Sequence, residues 1–408
     1  MIKHIIKNTS WLFIAEAINK GTFFLITIII ARNFGSELFG QFNYAISFVI
    51  IFSVITDFGI NNLVIREVAR NKEKSAFLIQ NGLIIKLFLS VLTLLLIFIS
   101  TIFTSKSLEV DIMVYILSFY VVFNSYNTFS KSIYRAFEKM RFETFLKSVE
   151  SVILLLHVLI VSIYIKDINI LILGFTIASA ITFFVSVKWI KKCFINFQLR
   201  FDKKIFLFLL KESWPFATIN IFMVIYFNLD TVMLSFIRND IETGLYSIAY
   251  NFIFIGALVP GLLNSSLYPV ISRRINSLAQ EKMKIIKYLI ILLSSGMLLS
   301  FFLFIFGNFF ISKFFGLEYI GSLDILNILL LSFPFLFFSN FMGTILSSHN
   351  KQLVNLYITA TSVFINIGLN LALIKPYGAS GAAVASVIAI IVMALLCLPY
   401  YINFIKNL

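Results

Sequence analysis

The chain has 408 residues, of which 60% are apolar and 13% charged, with a formal net charge of +14 and a mean hydropathy of +0.97. That much apolar surface exceeds what a soluble domain can bury, so lipid is the expected solvent. The basic residues sit between apolar runs, which is a topology signal rather than a nucleic-acid footprint. Two cysteines and three histidines supply neither a disulfide framework nor a Cys/His metal cluster, so no metal and no cofactor is expected.

Twelve apolar runs are long enough to cross a bilayer, near 8–31, 39–62, 77–103, 110–134, 145–165, 168–190, 211–236, 241–268, 285–310, 322–346, 351–373 and 379–404. The first lacks a small-residue cleavage site and carries charges, so it reads as a span and not as a leader. Its Glu16 and Lys20 stand four apart with the acid first, on one helical face. Asn19 lies beside them, and Thr27 follows two turns on. Two readings stay open: a cationic site gated by a carboxylate, or an internal ion pair that holds the span. Arg32 follows at the far end.

In the second run Asp57 lies within reach of the basic loop that starts at Arg66, which predicts a salt bridge there. Lys86 stands about two turns into the third run, to line a cavity or to snorkel to the interface. The fifth run holds Glu150, expected to meet the Lys147 region, and His157 at mid-span. A hydrogen-bonded neutral imidazole is the common case for such a histidine, and proton coupling is the alternative. Lys166 and Asp167 alone separate the fifth and sixth runs, which predicts a tight helical hairpin. The polar linker near 191–211 separates two halves, 1–200 and 201–408. In the seventh run Asp230 has no partner on its own helix, which suits a cavity-facing or protonatable role. Pro260 with Gly256 and Gly261, and Pro334, predict kinks in the eighth and tenth runs. Gly378, Ala379, Gly381, Ala382, Ala383 and Ala385 open the last run with small residues suited to close helix contact.

The halves repeat. Residues 31–70 align with 235–274, matching Gly40 with Gly244, Phe42 with Tyr246, Ala45 with Ala249, Phe48 with Phe252 and Arg70 with Arg274. Two related halves suit a transporter whose bundles rock around a site between them. Alternate loops carry 25 of the basic residues against 6 in the opposite set, which predicts both termini in the cytoplasm. Trp11, Trp189 and Trp214 fall at the same predicted ends. Arg66, Arg135, Arg273 and Arg274 line that face, as a topology signal or as a fork for a diphosphate. No phosphate-binding glycine loop, zinc-protease motif or catalytic triad occurs, so an enzyme or an ATP-driven pump is not expected.

The blocks FGSELFGQFNYAISF (34–48), DFGINNLVIREVAR (57–70), NLDTVMLSFI (228–237), GLYSIAYNF (244–252), LYPVISRR (267–274) and KPYGASGAAVASV (375–387) come in an order that resembles the Wzx-type polysaccharide flippases. These belong to the multidrug/oligosaccharidyl-lipid/polysaccharide exporter superfamily. The resemblance implies an all-α integral membrane protein of 12 transmembrane helices, in two pseudo-symmetric six-helix bundles around a central cavity. It implies a bacterial inner-membrane flippase for undecaprenyl-diphosphate-linked oligosaccharide units, of O-antigen or capsule, coupled to an H+ or Na+ gradient. A polysaccharide polymerase and a chain-length regulator are the implied partners. Carried onto this chain, Lys20 becomes the diphosphate-binding cation, with Lys86, Arg32 and Asn19 behind it. Coupling or gating falls to Glu16, Asp230, Asp57 or His157. The chain departs from the family in having almost no arginine inside its spans.

Competing readings are a multidrug or cation antiporter of the same superfamily, which would want an acidic cavity, and a peptidoglycan-precursor flippase, whose relatives carry 14 spans. A membrane glycosyltransferase would need a large catalytic loop.

Overall fold

A computed structural model describes residues 2–104, 106–193, 201–261, 263–264, 278–349 and 351–406. The described residues are almost all helical. The helices are α1 (Ile2–Asp57), α2 (Ile60–Arg70), α3 (Ser75–Thr104), α4 (Leu108–Ala136), α5 (Met140–Ile160), α6 (Ile168–Cys193), α7 (Lys203–Ile237), α8 (Asp240–Gly256), α9 (Leu278–Phe310), α10 (Ser322–Leu330), α11 (Phe333–Ser348) and α12 (Gln352–Lys406). Among the described residues nine helices are long and apolar enough to cross a membrane, or ten when α10 and α11, bent by 50°, are taken as one span.

Two of these helices are too long for one crossing. At about 1.5 Å per residue, α1 and α12 would each measure about 80 Å, against about 30 Å of hydrocarbon. Each is interrupted at one glycine of non-helical backbone, Gly35 (φ 78°, ψ 173°) and Gly378 (φ 56°, ψ −135°). The left-handed φ suits glycine, which has no Cβ to clash.

The chain forms two compact units. One is Met1–Phe34 with Ala45–Val224; the other is Gly35–Tyr44 with Ile225–Leu408. The division therefore falls inside α7, where the sequence places it at 200/201 in the polar linker. Packing explains the first half of α7: a Cβ on Gly59 would lie 2.4 Å from the Ser213 carbonyl oxygen, so the turn after α1 and the start of α7 touch backbone to backbone. Residues 194–200 of the linker lie outside the described residues.

In the first unit a buried core gathers around the amphipathic α2, whose Ile60, Leu63, Val64 and Val68 pack with Ile79, Ile85, Phe129 and Ile133. The expected α5–α6 hairpin is present. Lys166 turns the chain in the left-handed region (φ 56°), and the Asp167 carboxylate accepts from the backbone N–H groups of Asn169 and Ile170, at 2.8 and 3.1 Å.

In the second unit the break expected at Pro334 lies at Leu331–Ser332, with the proline in the first turn of α11, where its missing N–H costs nothing. The helix of the eighth run breaks after Gly256, whose Cβ would meet the Phe333 ring at 2.4 Å, and helix resumes from Leu258. The small residues at the end of the chain serve packing, as expected: a Cβ on Gly381 would come within 2.2 Å of the Leu373 carbonyl oxygen.

The repeated glycines meet each other in this unit. A Cβ on Gly40 would fall 1.7 Å from the Asp240 carbonyl oxygen, and one on Gly244 would fall 2.5 Å from that of Ser36. The part of α1 beyond Gly35 and α8 thus cross at glycine distance. The two segments that restart after Gly35 and after Gly378 are each held at their first turn by a carboxylate from a remote part of the chain. Glu318 accepts from the Ser36 N–H at 2.7 Å, and Glu242 accepts from the Ala379 N–H at 2.8 Å.

Candidate functional site

In the first unit, Glu16, Asn19, Lys20 and Phe23 share one face of α1 by their helical spacing. Glu16 meets Lys147 of α5 at 2.5 Å. Lys147 also lies 3.5 Å from Glu143, and Arg135 of α4 grips that fully buried carboxylate with two nitrogens, at 2.7 and 2.6 Å. Lys131 and Glu150 approach to 3.7 Å. Acids and bases therefore alternate along a polar seam where α1, α4 and α5 meet. Asn19 lines a cavity of about 80 Å³ at this seam with Thr22, Tyr120, Glu150 and Ser151, and the buried Ser151 hydroxyl has no partner among the described residues.

This geometry corrects several expectations. Glu16 is engaged from another helix as well as standing beside Lys20 on its own. Glu150 meets Lys131 and not Lys147. Arg135 is committed to Glu143, so its fork is not open to a phosphate. Arg66 pairs with Glu67 at 2.7 Å and lies 3.7 Å from Glu212.

A second buried network lies around Lys86. This residue is expected to line a cavity or to snorkel, yet it is 0% exposed and does neither. Its ammonium donates to the Ser125 hydroxyl at 2.7 Å and to the Thr56 carbonyl at 3.2 Å, and it stands 3.6 Å from Asp57. Asp57 accordingly has its ion pair, but with Lys86 and not with the loop at Arg66. The α1 end turns inward there at Phe58 and Gly59, both in the left-handed region, which aims Asp57 away from the loop. The Asn220 amide of α7 donates to the other Asp57 oxygen at 3.2 Å. His157 donates from Nε2 to the Ile170 carbonyl, at 2.8 Å, and a Cβ on Gly174 would meet its ring at 2.2 Å. Arg32 is exposed, about 18 Å of helix from Lys20. The four cationic and amide candidates are thus not gathered at one point.

In the second unit Asp230 is 4% exposed. One of its oxygens accepts from the Tyr246 hydroxyl, at 2.8 Å, and from the Ser386 hydroxyl. The other accepts from the Asn370 amide at 2.6 Å, and Asn370 also donates to Asn366 at 3.1 Å. All these partners are neutral, and no salt bridge involves Asp230 among the described residues. The side-chain oxygen of Asn370 is buried without a partner among the described residues. A buried carboxylate ringed by neutral oxygens and amides, without a cation, is a place where a proton or a monovalent cation would be stabilised.

Sequence reasoning finds Asp230 but misses its ring. Tyr246 is visible in the repeat alignment, and Asn366 and Asn370 stand four apart inside an apolar run, on one face. Arg273 and Arg274 lie outside the described residues.

A family model described as "Polysaccharide biosynthesis protein" matches residues 5–275, and a second model, MatE, matches 215–372. No curated protein is matched. Among solved structures, the lipid II flippase MurJ in an inward closed conformation superposes with a TM-score of 0.76 at 19% identity, over 97% of this chain and 87% of that one. An inward-facing multidrug resistance MATE family transporter of the MOP superfamily gives 0.77 at 14% identity, over 97% and 98%. A MOP superfamily transporter from Pyrococcus furiosus, described as having a binding pocket of reverse polarity, gives 0.68 at 15% identity, over 99% and 96%. At these identities the likeness is one of fold.

Proposed function

This chain belongs to the polysaccharide biosynthesis protein family, and on that premise we propose that it is a flippase for undecaprenyl-diphosphate-linked oligosaccharide units, of O-antigen or capsule. It works by alternating access in the bacterial inner membrane, with both termini in the cytoplasm, and catalyses no covalent reaction. Taking α1 and α12 as two spans each, on either side of Gly35 and Gly378, supports a reading of more than the ten spans found among the described residues.

The observation that carries this reading is the family match together with a multi-pass fold shared with a lipid II flippase. The physics agrees. A glycan head group cannot cross about 30 Å of hydrocarbon unaided, whereas a polyprenyl tail stays in lipid throughout. Lys20 meets the diphosphate, with Asn19 on the same helix. Asp230 takes up H+ or Na+, and its occupancy biases one facing state over the other. A polysaccharide polymerase and a chain-length regulator receive the product.

The second reading is a multidrug or cation antiporter, favoured by the MatE match over 215–372 and by the uncompensated carboxylate of Asp230. Deleting the gene separates the two. Loss of surface glycan with accumulation of polyprenyl-linked units supports the flippase. Unchanged glycan with raised dye sensitivity moves the assignment to drug antiport. Complementation with Lys20→Ala and Asp230→Asn then tests the residues: both proteins reach the membrane, and neither restores glycan.

A further inference from the structure

Where α2 ends and α3 and α7 begin, the first unit carries a groove of about 630 Å³. Its lining changes character along its length. Asn71 at the end of α2 and Asp202 and Lys204 at the start of α7 are polar, whereas Phe77 and Leu78 in the first turn of α3 and Ile205 and Phe208 in the first two turns of α7 are apolar. The wall is braced: the Asp202 N–H donates to the buried Asn81 side chain at 3.0 Å, which ties the start of α7 to α3. Phe77 and Phe208 remain 43% and 41% exposed, so the apolar part is open from the side.

The polar end is electrically unbalanced. Glu67, which also lines the groove, is held by Arg66 at 2.7 Å and approached by Arg70 at 3.5 Å. One Asp202 oxygen accepts from the N–H groups of Lys204 and Ile205, at 2.8 and 3.2 Å. By contrast Lys204, which lines the groove, and its sequence neighbour Lys203 are exposed and make no salt bridge among the described residues. An anionic head beside these lysines, with hydrocarbon against Phe77, Ile205 and Phe208, matches both ends at once.

We propose that this groove holds an anionic phospholipid of the leaflet that faces the basic loops. The occupant is a bilayer lipid, bound whether or not transport takes place.

The test is native mass spectrometry of the full-length protein in detergent, titrated with phosphatidylglycerol or with phosphatidylethanolamine of the same chains. Phosphatidylglycerol is retained in preference. At about fivefold per lysine near an anionic head, Lys203→Gln with Lys204→Gln lowers its affinity by about 25-fold. The same double variant leaves phosphatidylethanolamine unchanged. Phe208→Ser, which keeps the charge, also lowers phosphatidylglycerol retention, while Lys188→Gln, an exposed lysine outside the groove, does not. Equal retention of the two lipids, or indifference to the lysine and phenylalanine variants, overturns the proposal. Displacement of phosphatidylglycerol by polyprenyl phosphate at lower concentration also overturns it, because the groove would then belong to the transported lipid.

Discussion

Replacing Lys86 by methionine tests the buried pair in the first unit. The change keeps the length of the side chain and removes a charge that is 0% exposed. It deletes the hydrogen bonds to Ser125 and to the Thr56 carbonyl, at 2.7 and 3.2 Å, and leaves Asp57 with the Asn220 amide at 3.2 Å and the Asn61 N–H at 3.4 Å. Stranding one partner of a buried ion pair costs about 3–5 kcal/mol. The Asp57 side chain retains 20% exposure, so water relieves part of the penalty. The expected cost is therefore about 3 kcal/mol, or roughly a hundredfold in the unfolding equilibrium.

Asp57→Asn alone should cost about as much, because it strands Lys86 instead. The two changes together remove both charges and should cost no more than either one, giving a coupling energy of at least about 3 kcal/mol. Reversible unfolding in mixed detergent and SDS micelles measures all three variants. A coupling below about 0.5 kcal/mol would mean that the residues act independently and that the ion pair contributes nothing.

Other sites give sharper contrasts. Gly40→Val should prevent the part of α1 beyond Gly35 from seating against α8, because its Cβ would lie 1.7 Å from a backbone oxygen, whereas Gly21→Ala, with nothing within 4 Å among the described residues, should leave the melting temperature unchanged or raise it; thermal unfolding in detergent decides. Glu242→Ala uncaps the N–H of Ala379 and removes a partner 3.7 Å from Arg238, at an expected cost of about 1–2 kcal/mol in the same micelle titration. Arg135→Lys replaces a two-nitrogen grip on the buried Glu143 by a point charge and should cost about 1–3 kcal/mol, whereas Arg141→Lys, whose ring contact with Phe142 is a near-neighbour one, should cost less than 1 kcal/mol by that measurement.

Much of the helical framework is legible in the chain. Apolar runs locate the spans, a two-residue polar gap locates the α5–α6 hairpin, and Pro334 locates a break, because each depends on residues close in sequence. Asp57 and Asp230 are legible as acids that need partners for the same reason, since a carboxylate in an apolar run has to be satisfied. What satisfies it is another matter. Lys86 is 29 residues from Asp57, and the ring around Asp230 is drawn from residues up to 156 positions away, which helical periodicity does not reach. Glu143 and Lys147 sit in the polar opening turns of α5, where charges resemble those of any loop. The repeat alignment pairs Gly40 with Gly244 as equivalents, but equivalence alone does not tell that they touch.

The cap on Ser36 has a consequence for how the protein is made. The glutamate that accepts its N–H lies 282 residues downstream, and the one that holds Ala379 lies 137 residues upstream. At about 5–20 residues per second, a ribosome takes roughly 15–60 s to travel from the first glycine break to Glu318. During that interval the opening turn of α1 beyond Gly35 is in or near the membrane without its partner. A chain truncated before Glu318 would keep the vacancy for good, so the first 34 residues and those from Ala45 can assemble early while the ten between them wait for the end of synthesis.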